Sequence, residues 1–201
     1  MKLGVFGGSF DPIHFGHLLL AETCREHCGL DEVAFVPAFV SPHKTNDLPT
    51  DAKHRVEMVK LAIGGHPSFS VSTTEVARES VSYTVETLEE LKKQDASREL
   101  FFIMGADSLV DFPSWKSPAR ICELATIIAV GRADSSLPTV KELTTRIGVD
   151  VRVEFVPFPL VELSSSEIRE RVLEERSIRY RTPRAVEKYI EANRLYMASN
   201  K

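Results

Sequence analysis

The chain has 201 residues and a mass of 22.5 kDa, with 43% hydrophobic and 27% charged side chains. Such proportions describe one soluble globular domain, large enough to bury a core without disulfide or metal staples. Twenty-five basic against 29 acidic residues leave a net charge of −4, which argues against a broad nucleic-acid or anionic-membrane surface but permits a local phosphate pocket.

The opening run Met1–Phe6 carries Lys2, but its apolar stretch stops at Gly7-Gly8, too short for a secretory leader. Leu124 to Val130, among the longest apolar stretches, is too short to span a bilayer. Cys24, Cys28 and Cys122 form an odd, sparse set unlike an extracellular disulfide framework. The expected compartment is therefore the cytosol.

Strand and helix patterns alternate along the chain. A strand at Lys2–Phe6 precedes a helix at Phe15–His27, then strand Glu32–Pro37, helix Asp51–Ile63 and strand Phe69–Thr73. Helix Tyr83–Gln94, strand Leu100–Met104, helix Pro118–Leu124, strand Thr126–Val130, helix Val140–Ile147 and strand Val151–Val156 follow. Most strand candidates are continuous apolar runs, as in parallel strands covered on both faces. In the Tyr83–Gln94 helix, Val85, Leu88 and Leu91 keep one face, and Glu89 and Lys93 stand at i,i+4. This order predicts the α/β class, a Rossmann-like doubly wound, mainly parallel sheet with right-handed crossovers. Beyond it, Ser164-Ser165-Ser166-Glu167 reads as a capping box opening a helix to about Glu175, and Thr182-Pro183 opens another to about Met197. A single domain is expected, with a core over 1–160 and a small helical extension over 161–201. Gly131–Thr139 reads as a surface loop.

The strongest functional signal lies between the first strand and the first helix, in Gly7-Gly8-Ser9-Phe10-Asp11-Pro12-Ile13-His14-Phe15-Gly16-His17. Two glycines allow a tight turn and close approach of a ligand, and a helix N-terminus at the carboxyl edge of a sheet attracts anions. His14 and His17 share one helical face, about 4.5 Å apart along the axis. Gly16 between them lets a bulky ligand near the helix backbone. Two surface histidines or a zinc pair are the plainer readings, but the pair lacks further metal ligands. The loop also lacks the Gly-x-x-x-x-Gly-Lys-[Ser/Thr] of a P-loop.

Gly8 to His17 closely resembles the [Ser/Thr]-x-x-x-His-x-Gly-His signature of the nucleotidylyltransferase superfamily, and Ser164-Ser165-Ser166-Glu167-Ile168-Arg169 resembles its second signature, Ile-Ser-Ser-Thr-x-Ile-Arg. Leu163 stands where Ile is commoner and Ser166 where Thr is. Pro42-His43-Lys44, His54-Arg55-x-x-Met58, Ser82-Tyr83-Thr84, Gly105-Ala106-Asp107, Trp115 and Val186-x-x-Tyr189-Ile190 extend the likeness to the bacterial nicotinate-mononucleotide adenylyltransferases over nearly the whole chain. That resemblance implies transfer of an adenylyl group from ATP to nicotinate mononucleotide, giving deamido-NAD and pyrophosphate.

The resemblance also implies roles. His14, His17, Lys44 and Arg169 would act on the phosphates. Gly7, Gly8, Ser9, Phe10, Gly16, Gly105, Asp107, Ser165, Ser166 and Ile168 would complete the ATP site. Ser9, Asp11, Lys44, Thr84 and Trp115 would receive nicotinate mononucleotide, with Trp115 stacked on the pyridine ring and Thr84 at its carboxylate. The plainer alternatives are a solvated Lys44, a solvent-facing Arg169, and Asp107, Ser82 or Thr84 as helix caps. The helix dipole disfavours imidazolium and a phosphate favours it, so sequence leaves the charge of His14 and His17 open. Mg²⁺ is expected to arrive with ATP, without a protein cage. Two rivals are a transferase for nicotinamide mononucleotide or another phosphorylated acceptor, and a nucleotide-binding sensor without turnover.

Cys24, His27 and Cys28 share the first helix, and buried or half-buried thiols are a better reading there than zinc. Arg171, Arg176, Arg179, Arg181 and Arg184 are interleaved with Glu170, Glu174, Glu175 and Glu187, which reads as a solvated helical face rather than a nucleic-acid patch. Oligomeric state is not written in the sequence.

Overall fold

The computed structural model describes residues 1–40, 49–131, 137–159 and 161–197. Pro42-His43-Lys44 and most of the loop at 131–139 lie outside those residues. Strands β1 (Lys2–Gly8), β2 (Glu32–Pro37), β3 (Phe69–Val71), β4 (Glu99–Gly105), β5 (Ala125–Gly131) and β6 (Val153–Pro157) form one sheet in the order β3-β2-β1-β4-β5-β6. Every pairing is parallel. The order turns back between β1 and β4, so a crevice opens beyond their carboxyl ends.

The side-chain period of two explains how one sheet holds two cores. Leu3 and Val5 of β1 and Leu100, Phe102 and Met104 of β4 face one layer. Phe6 of β1 and Phe101 and Ile103 of β4 face the other. The first layer is closed by α4 (Thr84–Gln94), α6 (Pro118–Leu124) and α7 (Val140–Ile147), through Val85, Leu88, Leu91, Ile121 and Leu143. The second is closed by α1 (Phe15–Cys28), α2 (Ala52–Ile63), α8 (Ser165–Leu173) and α9 (Arg184–Ala192). Ile168, Val186, Ile190 and Leu195 are buried there beside Ala21, Met58 and Val59, so the last helices share one core with the sheet.

Two short helices appear that sequence periodicity did not show: α3 (Thr74–Arg78) and α5 (Ser108–Asp111). Neither is long enough for an apolar stripe to repeat. Three local expectations change. Glu89 pairs with Arg120 across α4 and α6 rather than with Lys93. Thr182 does not cap α9, because its hydroxyl donates to the Ile13 carbonyl at 2.7 Å and Pro183 takes the cap position. Ser164 accepts from the Glu167 N–H at 3.1 Å, but Glu167 turns to Arg181 instead of completing the box.

Arginines 171, 176, 181 and 184 pair with Glu167, Glu174, Glu167 and Glu187 respectively, the interleaving seen in the sequence. Cys24, Cys28 and Cys122 are free thiols. Burial pushes Cys24 up to about 12 and Cys122 up to about 11, which leaves them unreactive at neutral pH. Among the described residues, no helix is long and apolar enough to cross a membrane.

Candidate active site

The crevice between β1 and β4 is built on the segment leaving β1. Gly7 and Gly8 remain in the strand, and neither has a positive φ. The left-handed residue is Phe10, at φ 47°, so the expected glycine turn is a phenylalanine turn. Burial drives it: the Phe10 ring is 1% exposed and meets Phe6, Phe35 and His17 edge-on or tilted. That side chain is core. Gly8 is needed because a Cβ there would lie 3.0 Å from the Phe10 ring, whereas a Cβ on Gly7 would meet nothing within 4 Å. Gly7 thus opens onto free space at the sheet edge.

His14 is the cap residue of α1, extended at φ −144°, ψ 171°. Its N–H donates to His17 Nδ1 at 3.2 Å. Because that Nδ1 accepts, a neutral His17 carries its proton on Nε2, pointing away from the helix start. The two rings stack at 3.7 Å with a 27° tilt. Burial pushes His14 down to about 4, and burial followed by the charge of His14 pushes His17 down to about 3. Burial thus favours the neutral form of both rings at pH 7. His14 Nδ1 is buried without a hydrogen-bond partner among the described residues. Gly16 serves this stack directly, since a Cβ there would lie 3.0 Å from the His14 ring. The neighbour that excludes a side chain at this position is therefore His14 itself.

The second signature docks on the same loop. Ser165 Oγ donates to the Pro12 carbonyl at 2.9 Å, and Arg169 Nη1 donates to the Asp11 carbonyl at 2.8 Å. The other guanidinium nitrogen reaches Ser166 Oγ at 3.4 Å. These bonds bring the N-termini of α1 and α8 to one place, where two dipoles and a cation converge. Helix α8 does not use the N–H groups of Ser165 and Ser166 internally, since Ser164 caps only from Glu167 onward. Ile168 is fully buried in the core, where its side chain anchors the helix. Asp11 is also inward. Its carboxylate accepts from Tyr196 at 2.7 Å and from the Thr50 N–H at 3.1 Å, so it is a strut to the C-terminal segment and not a lining residue.

Beside the glycines lies a cleft of about 300 Å³. Gly7, Gly8 and Ser9 form one wall, Trp115 and Phe102 another, and Ser82, Tyr83 and Thr84 a third. Trp115 makes edge contacts to Phe102 at 6.0 Å and Phe112 at 5.6 Å and lines the cleft. Thr84 opens α4, yet neither it nor Ser82 caps that helix. Ser82 Oγ instead accepts from the Phe39 N–H at 3.0 Å. Lys116 sits over the Tyr83 ring at 4.0 Å and pairs with Glu86 at 2.7 Å. Gly105 ends β4 and Asp107 follows it, both exposed. Asp107 holds the cap position of α5, but its side chain makes no capping bond.

Residues 5–171 match the family described as cytidylyltransferase-like. The chain belongs to the cytidylyltransferase-like family. The relative from Thermus thermophilus named "Probable nicotinate-nucleotide adenylyltransferase" is 44% identical over 201 residues, covering 98% of this chain and all of its own. One of the same name from Thermomicrobium roseum is 42% identical over 196 residues, covering 97% and 91%. Among solved structures, Plasmodium falciparum nicotinic acid mononucleotide adenylyltransferase complexed with NaAD has a TM-score of 0.75 and covers 97% of both chains. At 19% identity that likeness is one of fold.

Within this family frame, several residues went unnoticed in the sequence. Arg55 was visible only as part of a motif. It is 1% exposed and donates to the carbonyls of Thr50, Ser9 and Phe39 at 2.7, 2.8 and 3.1 Å. It thus ties the end of the first loop to the segments flanking β2 and α2. Glu75, Thr87 and Lys116 line the cleft without any sequence signal, because their relevance depends on α3 and α4 folding against the end of β2. Lys44 lies outside the described residues.

Proposed function

We infer that this chain transfers the adenylyl group of ATP to nicotinate mononucleotide, forming deamido-NAD and releasing pyrophosphate. One observation carries the reading: two helix N-termini, the neutral His14–His17 pair and Arg169 converge on one loop, directly beside a cleft walled by Trp115 and Thr84. Relatives at 42% and 44% identity bearing the corresponding name support it.

The chemistry follows from charge. A phosphate oxygen of the mononucleotide attacks the α-phosphorus of ATP in line, a new P–O bond forms, and the bond to the bridging oxygen of pyrophosphate breaks. That nucleophile is already anionic at neutral pH, so no strong base is required. Catalysis is positioning and stabilisation of developing charge. His17 donates its Nε2–H to an α-phosphate oxygen without the cost of protonating a buried ring. The Ser165 and Ser166 N–H groups with the Arg169 fork hold the β- and γ-phosphates. Asp107 accepts from a ribose hydroxyl of the adenosine, Trp115 stacks on the pyridine, and Thr84 faces its carboxylate.

ATP enters as its Mg²⁺ complex, most of the ion's ligands being water and phosphate oxygens. The cytosol suits the reading, since the three cysteines stay free thiols. The deciding experiment measures pyrophosphate release with ATP and a panel of nicotinate mononucleotide, nicotinamide mononucleotide and other phosphorylated acceptors, with and without chelator. Turnover highest with the acid, and lost with chelator, is the expected result. Equal or higher kcat/KM for the amide would give the amide reading its place, and no release with any acceptor would leave a nucleotide-binding sensor.

A further inference from the structure

The cleft assigned to the pyridine ring contains one buried acid that the reaction does not use. Glu75, on α3, is 6% exposed and lines the cleft wall with Ser82, Thr84 and Thr87. Thr87 Oγ1 donates to Glu75 Oε1 at 2.5 Å, and the Ser82 hydroxyl is near enough to help pull that carboxyl down. The Tyr83 carbonyl is an alternative acceptor for the Thr87 hydroxyl, but at 3.5 Å against 2.5 Å for Glu75. Ser82 Oγ receives the Phe39 N–H at 3.0 Å, and Thr87 Oγ1 receives Arg78 Nη2 at 2.9 Å. A backbone amide and a guanidinium can only donate. The Thr87 hydroxyl, with Arg78 on its oxygen, therefore gives its hydrogen to Glu75. The group that accepts such a bond best is the carboxylate.

Thr84 lies between Ser82 and Thr87 in the chain, and all three line the cleft. We propose that Glu75 is a positioning residue for acceptor recognition: by holding Thr87, one helical turn beyond Thr84 on α4, it fixes the wall that separates an acid from an amide. This rests on the reading that the cleft takes nicotinate mononucleotide. A free carboxylate in that wall would repel an acidic acceptor, and Glu75 is instead tied to Thr87, with Arg78 one bond behind it. Burial alone pushes the Glu75 carboxyl up, while the bonds from Thr87 and Ser82 and the charge of Arg78 pull it back. A glutamine has the same shape but can place an NH₂ donor against the Thr87 hydroxyl, whose hydrogen already faces it, and it accepts that hydrogen less strongly than a carboxylate does.

The test compares wild type, Glu75→Gln, Thr87→Val and Thr87→Ser in steady-state kinetics with both mononucleotides. For Glu75→Gln and Thr87→Val, KM for the acid should rise about tenfold, the scale of one mismatched polar contact. The acid-to-amide ratio of kcat/KM should fall with it, while kcat and KM for ATP stay within about twofold. Thr87→Ser keeps the hydroxyl and should restore the wild-type ratio. A role confined to folding would instead lower Tm and move the constants for ATP and acceptor together. An unchanged acid-to-amide ratio in folded Glu75→Gln overturns the proposal, and if that variant does not fold, an unchanged ratio in Thr87→Val does so. A wild type that prefers the amide overturns the functional reading alone, because the acceptor-specific KM shift of the variants still reports the clamp.

Discussion

The imidazoles of His14 and His17 stack at 3.7 Å, and a single backbone bond decides what they can do. The N–H of His14 occupies Nδ1 of His17, so the second ring offers Nε2–H and nothing else to a ligand. Two rings this close cannot both be charged without strong repulsion, and their burial already holds them near 4 and 3. The result is a neutral donor whose tautomer is set before substrate arrives.

Removing that donor should be costly for turnover. In His17→Ala we expect kcat to fall by at least about a hundredfold, the scale of losing one preorganised donor to developing charge. Pyrophosphate-release assays on the folded variant check this, and near-normal turnover would remove His17 from the role.

The same pair predicts a stability slope. An unfolded histidine binds a proton below about 6.5, whereas His14 and His17 resist protonation until about 4 and 3. Between those values the unfolded chain holds more protons, so stability falls as pH drops from about 6.5 towards 4 and levels off below 3. Urea midpoints across this range should decline in the wild type and decline less steeply in the His14→Asn, His17→Asn double variant. Parallel curves would contradict the assignment.

Gly16→Ala separates geometry from stability. The new Cβ would lie 3.0 Å from the His14 ring, so the ring must shift, while alanine favours the helix by up to about 1 kcal/mol. Turnover should drop at least about tenfold with the urea midpoint within about 1 kcal/mol of wild type. A fully active variant would show that the stack tolerates displacement.

Arg55→Met should act in the opposite sense, chiefly on stability. It leaves the carbonyls of Ser9, Phe39 and Thr50 without their charged donor. A bond to a charged group contributes about 1.5–3 kcal/mol, and three shared by one side chain suggest a loss of at least about 3 kcal/mol in urea unfolding. Arg55→Lys should recover only part, because a point charge cannot serve three directions at once.

Tyr196→Phe tests the strut from the C-terminal segment to Asp11. The deleted hydroxyl donates to a buried carboxylate, so about 1–3 kcal/mol should be lost. The Thr50 N–H bond survives, and acceptor KM should hold if Asp11 is a strut and not a ligand. A rise in KM for the mononucleotide would return Asp11 to the binding site.

What the sequence by itself determined is whatever repeats over a few residues. Continuous apolar runs such as Leu100–Met104 define strands covered on both faces, and the alternation with helical periods defines the parallel sheet. The loop from Gly7 to His17 and the Ser164–Arg169 turn were legible because their chemistry is local: a strand end, a helix start and side chains three apart. The tertiary structure alone decided which distant groups satisfy one another. Tyr196 meets Asp11 across 185 positions and Arg169 meets the Asp11 carbonyl across 158, and the sequence offers many equivalent tyrosines, carboxylates and carbonyls. Glu75 looks like any exposed helical glutamate until α3 packs beside α4, where it is buried and accepts from the Thr87 hydroxyl. The charge of His14 and His17 belongs to the same class, since sequence supplies the two rings but only packing sets how much water they lose.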